Sequence, residues 1–120
     1  VVELVSGFRF EDYRSVLIRD LSTGNRRKVY LITGLALGLP LLLLDEPVNG
    51  LDFKSTEYLY EQINGYRKYG TVLFSSHVLD SICLTSDRVL VLENGCISRE
   101  FSAGQIDTAV IREVLNEQDT

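Results

Sequence analysis

Asp45 and Glu46 stand side by side behind four leucines, in the stretch LLLLDEPVNGLD over residues 41–52. Two carboxylates delivered to a surface by an apolar strand suit metal and water chemistry, because ligands of open α/β sheets bind just outside the carboxyl ends of the strands. A solvated strand end is the plain alternative. His77, the only histidine, closes a second apolar run, TVLFSSH over residues 71–77. A lone histidine is usually incidental, so its weight depends on what it meets. Ser22, Thr23, Gly24 and Asn25 precede a helical pattern. They read as a cap and a helix-entry turn, and such a turn also offers unpaired N–H groups to an anion. Asp52 reads as the cap of the next helix.

The elements that must position these groups follow from periodicity. Four leucines without polar alternation predict a strand covered on both faces, as in the centre of a parallel α/β sheet. Residues 71–75 predict a second strand parallel to it. Between them, Asp52 caps a helix expected over 53 to about 69, with Leu59, Ile63 and Tyr66 inward and Gly70 at its end. A right-handed strand, helix, strand unit brings both carboxyl ends to one edge, so Glu46 and His77 are expected to converge.

Upstream, residues 8–21 predict a short amphipathic helix, and Ser22 or Thr23 caps a second one running through Val29, Ile32, Leu35, Ala36 and Leu39 until Pro40. Arg26, Arg27 and Lys28 read as its solvated face. Downstream, 78–85 predicts a short helix, 88–93 a third strand, Asn94-Gly95 a hairpin turn into 96–101, and 106–116 a terminal helix. Glu113, Glu117 and Asp119 read as a solvated tail.

The 120 residues are enough for at most one domain, and 45% apolar content can build a core. A net charge of -5 gives no broad basic surface, and no nucleic-acid partner is expected. The most apolar stretch, 29–44, is shorter than the ~18 residues a membrane span needs and is broken by Gly34, Gly38 and Pro40. No basic, apolar leader opens the chain, so secretion is not expected. Cys83 and Cys96 lack metal-ligand spacing and are expected to be reduced. The chain contains no Met, so Val1 is not expected to be a translation start, and a fragment is expected.

LSTGNRRK over 21–28, LLLLDEP with NGLD over 41–52, SSH over 75–77 and DRVLVLENG over 87–95 occur in a fixed order. Together they resemble the C-terminal portion of the ATP-binding cassette (ABC) ATPases. The resemblance implies an α/β, partial P-loop NTPase fold with parallel β-strands, flanking helices and a C-terminal β-hairpin. Within it, residues 1–39 would end a helical subdomain and carry the signature helix, 40–101 would run from Walker B through the switch region and hairpin, and 102–120 would hold the terminal helix. It further implies that Asp45 acts on Mg²⁺ through a water, that Glu46 polarises the attacking water, and that His77 hydrogen-bonds the γ-phosphate of ATP. Ser22, Thr23, Gly24 and Asn25 match the signature, which faces the nucleotide held by a second ABC ATPase domain in a head-to-tail dimer. Thr23 and Asn25 depart from the commoner glycine and glutamine. Asp52 matches the acid of the loop joining the two sites.

No G-x-x-x-x-G-K-[ST] phosphate loop and no glutamine loop occurs in these residues. The chain alone is therefore expected to bind ATP poorly and to aggregate through unpaired sheet edges. The implied function is the ATP-hydrolysing subunit of an ABC transporter, cytoplasmic and peripheral to the membrane through a separate permease, and LDEPVNGLD resembles the exporter-type cassettes. A soluble non-transport ABC ATPase, or a non-catalytic remnant that only binds a partner, are the alternatives.

Overall fold

β1 (Leu41–Leu44) and β2 (Thr71–Phe74) pair in parallel, from Leu41 beside Thr71 to Leu44 beside Phe74, in a computed structural model that describes residues 1–118. The helix between them, α3 (Phe53–Tyr66), is the crossover expected from the pattern, and Leu59, Ile63 and Tyr66 are its buried stripe. Its last turn closes when the Gly70 N–H donates to the Tyr66 carbonyl at 3.0 Å. At Gly70 a Cβ would stand 2.3 Å from the Pro40 carbonyl oxygen. Only glycine therefore lets the chain pass there and start the ladder, with the Thr71 N–H donating to Pro40 at 2.8 Å.

These strands belong to the first of two compact units, Val1–Ser76 and His77–Thr120. In the first, α2 (Thr23–Leu37) begins at the Ser22 cap and ends at Gly38, which is left-handed (φ 61°). The helix stops short of Leu39 because a left-handed glycine already breaks its hydrogen-bond ladder ahead of Pro40. The core joins Leu31, Ile32 and Leu35 of α2 to Leu42, to the α3 stripe, and to Phe8, Phe10 and Leu21.

Residues 8–21 are not the expected amphipathic helix. A short helix, α1 (Val2–Gly7), ends before them, and two single 3₁₀ turns, Glu11–Tyr13 and Ile18–Asp20, take their place. Phe8 and Phe10 explain the difference: both are buried in one core. Residues two apart point to nearly opposite sides of a helix, so burying both requires irregular backbone, supplied by Arg9 at φ 57°.

The leucine strand is also less covered than its composition predicts. Only Leu42 is buried, while Leu41 and Leu43 remain exposed, because the helices of the first unit pack on one face of this two-stranded sheet.

In the second unit, α4 (Leu79–Thr85) leads to β3 (Arg88–Glu93) and β4 (Cys96–Ser102), an antiparallel hairpin turned by Asn94 (φ 50°) and Gly95 (φ 78°). Positive φ at both central residues is what an Asn-Gly turn provides. This hairpin is its own sheet. A 3₁₀ turn, Ala103–Gln105, precedes α5 (Thr108–Gln118), whose N–H groups at Ala109 and Val110 donate to the Asp107 carboxylate. Val89, Val91, Phe101 and Ile111 form the second core. Glu113 is exposed, whereas the side chain of Glu117 and all of Asp119 lie outside the described residues. Both cysteines are free thiols. Among the described residues no helix is long and apolar enough to cross a membrane.

Candidate functional site

Parallel pairing makes Asp45 and Ser75 the first residues beyond two adjacent strand ends, and the Ser75 N–H extends the ladder to the Leu44 carbonyl at 3.1 Å. The Ser75 hydroxyl donates to Asp45 Oδ1 at 2.8 Å and accepts from the Glu46 N–H at 2.8 Å. One hydroxyl thus ties both acids to the neighbouring strand. Glu46 has φ 43°, a left-handed conformation that costs a non-glycine residue about 1–2 kcal/mol. Its surroundings offset that cost. The Glu46 carbonyl accepts from Arg27 Nη1 at 3.1 Å and from the Asn49 N–H at 3.2 Å. Arg27 Nη1 also reaches the Asp45 carbonyl at 3.4 Å. Asn49 Nδ2 donates to Glu46 Oε2 at 2.6 Å. Pro47, fully buried, anchors the turn that follows.

The Ser22 to Asn25 stretch opens α2 as expected, with Ser22 Oγ accepting from the Asn25 N–H at 3.2 Å. A hydroxyl that accepts there keeps its own proton for another partner. Gly24 lies against the turn after Glu46, where a Cβ would meet the Gly50 carbonyl oxygen at 2.4 Å. One helical turn on, Lys28 Nζ contacts Asp52 Oδ1 at 3.0 Å. Asp52 is the cap of α3: Oδ2 accepts from the Ser55 N–H at 3.2 Å and Oδ1 from the Ser55 hydroxyl at 2.7 Å. Partial desolvation pushes the Asp52 carboxyl up, but the Ser55 and Lys28 hydrogen bonds outweigh it and hold the group well below the usual carboxylate range.

The basic cluster is therefore not a solvated face. Lys28 is 7% exposed, and Arg27 spends its guanidinium on the strand-end carbonyls. Helical spacing carried the signal, since residues 28, 31, 32 and 35 form one stripe and Lys28 occupies its first position. Arg27, Asp45, Tyr30, Gly34 and Pro47 line an open recess of about 260 Å³ between α2 and β1. His77 is the first residue of the second unit, exposed in the bend before α4.

The Asp45 carboxylate and the Ser75 hydroxyl are hard oxygen donors, the kind Mg²⁺ takes when one or two carboxylates share it with waters and phosphates. Among the described residues no group of three or more His, Cys, Asp or Glu is placed to cage an ion unaided. The donor set fits Mg²⁺ shared with a phosphate substrate.

Known proteins share the sequence and the fold of this chain. The family described as "AAA domain, putative AbiEii toxin, Type IV TA system" matches residues 3–79. The "Putative ABC transporter ATP-binding protein AlbC" of Bacillus subtilis (strain 168) is 43% identical over 103 residues, covering 85% of this chain and 43% of the relative. The "Daunorubicin/doxorubicin resistance ATP-binding protein DrrA" of Streptomyces peucetius is 31% identical over 114 residues, covering 94% of this chain and 34% of the relative. A solved ATP-binding subunit of an ABC transporter superposes with a TM-score of 0.86 at 26% identity, over 98% of this chain and 52% of that one. A dimeric ATP-binding cassette in a post-hydrolysis state, bound to ADP and Pi, shares the fold with a TM-score of 0.75 at 23% identity, over 85% and 45% of the two chains. The chain belongs to the AAA-domain family, is similar to proteins named as ATP-binding proteins of transport and drug resistance, and has the fold of solved ABC cassettes, a P-loop NTPase fold. It spans less than half the length of the two curated relatives.

Proposed function

We propose that this chain supplies the hydrolytic portion of an ABC transporter's ATP-binding subunit. The observation that carries the reading is the pair of acids held at the end of β1, with Ser75 binding the Asp45 carboxylate and the Glu46 main chain together. Glu46 takes a proton from the water that attacks the γ-phosphate. Asp45 would hold Mg²⁺ through a water, with the Ser75 hydroxyl beside it, and the ion would supply positive charge that neutralises the phosphates. His77 donates to the γ-phosphate. Ser22, Thr23, Gly24 and Asn25 face the nucleotide of a second ABC ATPase domain in a head-to-tail dimer, and Asp52 lies in the loop between the two sites. The dimer drives a separate membrane permease from its cytoplasmic side. In support, AlbC and DrrA carry the names of ATP-binding proteins, one of an ABC transporter and one of drug resistance. The 120 residues alone, without a phosphate loop, are expected to be inactive.

The test is ATP turnover by the full-length gene product and its Glu46→Gln variant. Loss of turnover of about 10²-fold or more with ATP binding retained is expected, the scale of losing one group that acts on the transition state. Turnover at the wild-type rate in Glu46→Gln overturns the reading.

A further inference from the structure

Glu46 is pinned along its main chain by Ser75, Arg27 and the Asn49 N–H, and that leaves its side chain to be accounted for. A glutamate carboxylate sits on three rotatable bonds, and ordering such a side chain costs up to about 2 kcal/mol. A base that must meet a water in one geometry needs that ordering done beforehand, because a misplacement of about 1 Å lowers rates by about 10²-fold. The Asn49 side-chain amide reaches the Glu46 carboxylate, with Nδ2 at 2.6 Å from Oε2.

We propose that Asn49 is a positioning residue for hydrolysis, its side-chain amide aiming the Glu46 carboxylate at the attacking water. The inference rests on the reading of Glu46 as the hydrolytic base. Asn49 is not required by the turn itself. Its φ is not among the positive values, so no left-handed backbone calls for an asparagine there. Nor does it cap α3, since Asp52 does that. An ionised carboxylate has about four lone-pair sites, so the amide donor on Oε2 restrains the carboxylate without using up its acceptor capacity. The amide has no charge and no titration of its own, so it orients the base without neutralising it.

Asn49→Asp and Asn49→Ala separate positioning from turn formation. Aspartate has the same shape and suits turns equally well, but it presents an acceptor to Glu46 in place of a donor. In the full-length gene product, kcat for ATP hydrolysis is expected to fall about 10²-fold in Asn49→Asp and about tenfold in Asn49→Ala, with KM for ATP within about twofold of wild type. A purely structural role would leave Asn49→Asp at the wild-type kcat. If the wild type turns over ATP, Glu46→Gln abolishes it, and both Asn49 variants keep the wild-type kcat, the inference is overturned while the hydrolytic reading stands. If Glu46→Gln retains full turnover, both are overturned. Should Asn49→Asp fail to fold, Asn49→Ala decides alone, read together with a crystal structure: an unmoved Glu46 carboxylate at wild-type kcat overturns the proposal.

Discussion

Lys28 Nζ lies 3.0 Å from Asp52 Oδ1, so the helix opened by Ser22 is bonded to the residue that caps the helix after Glu46. The two segments that carry most of the candidate site are thereby one mechanical body. Because the folded pKa of Asp52 is depressed, the stability it adds is complete above the unfolded value of about 3.9 and is lost as the pH falls below it. Thermal melts of wild type and Asp52→Asn should therefore differ most above about pH 5, and the gap should narrow steadily below about pH 4 and close only when the pH falls through the depressed folded pKa. A constant gap across that range would show that the Ser55 and Lys28 contacts do not hold the Asp52 carboxylate ionised. With Asp52 41% exposed, solvent screens the pair, and Lys28→Met should cost only about 1–2 kcal/mol.

Gly24 and Gly65 make an internal pair of opposite sign. A methyl on Gly24 would meet the Gly50 carbonyl oxygen at 2.4 Å, and backbone cannot swing aside as a side chain can. Gly24→Ala should cost about 1–3 kcal/mol in urea unfolding by forcing α2 from the Asn49-Gly50 turn. A methyl on Gly65, inside α3, would have nothing within 4 Å, so Gly65→Ala should stabilise by about 0.5–1 kcal/mol through helix propensity. Equal effects at the two sites would contradict the close approach at Gly24.

The Ser75 hydroxyl is the joint between the strands' ends. Ser75→Ala leaves the Glu46 N–H and the Asp45 carboxylate to water, at a cost near 1 kcal/mol because both are reachable by solvent. The larger effect should fall on function: with Glu46 no longer held in its left-handed conformation, hydrolysis by the full-length gene product should drop about tenfold while Ser75→Thr restores most of it. Steady-state ATPase rates check both, and an unaffected Ser75→Ala would mean that Arg27 and Asn49 suffice.

Much of this was legible in the sequence where one periodicity ruled. The leucine strand, the α3 stripe at Leu59, Ile63 and Tyr66, the Ser22 cap and the Asn94-Gly95 hairpin each follow from a local rule. What escaped was set by tertiary partners. Phe8 and Phe10 fold into the same core through a left-handed Arg9 that no helical pattern announces. Lys28 and Arg27 look like solvated charge until the Asp52 carboxylate and the Asp45 and Glu46 carbonyls are placed opposite them. Asn49 is visible only as a turn residue, because its bond to Glu46 depends on a backbone conformation that glutamate rarely adopts.

Leu43 is 64% exposed, and its parallel neighbour Leu73 is 55% exposed, on the sheet face opposite the helices of the first unit. Leu41 extends the same face, and among the described residues no third strand pairs with β1 or β2. Bare apolar area and open strand edges both favour association, and a two-stranded sheet is marginal without further cover. The 120-residue chain by itself should therefore self-associate at micromolar concentration, with light scattering that rises with salt as charge repulsion is screened. Replacing Leu43 and Leu73 together with Ser should reduce scattering without unfolding the chain, because neither side chain belongs to the buried core around Leu59. The edges would remain, so the remedy should be partial. A wild-type chain that sediments as a monomer and melts in one cooperative step would show that this face is covered in solution.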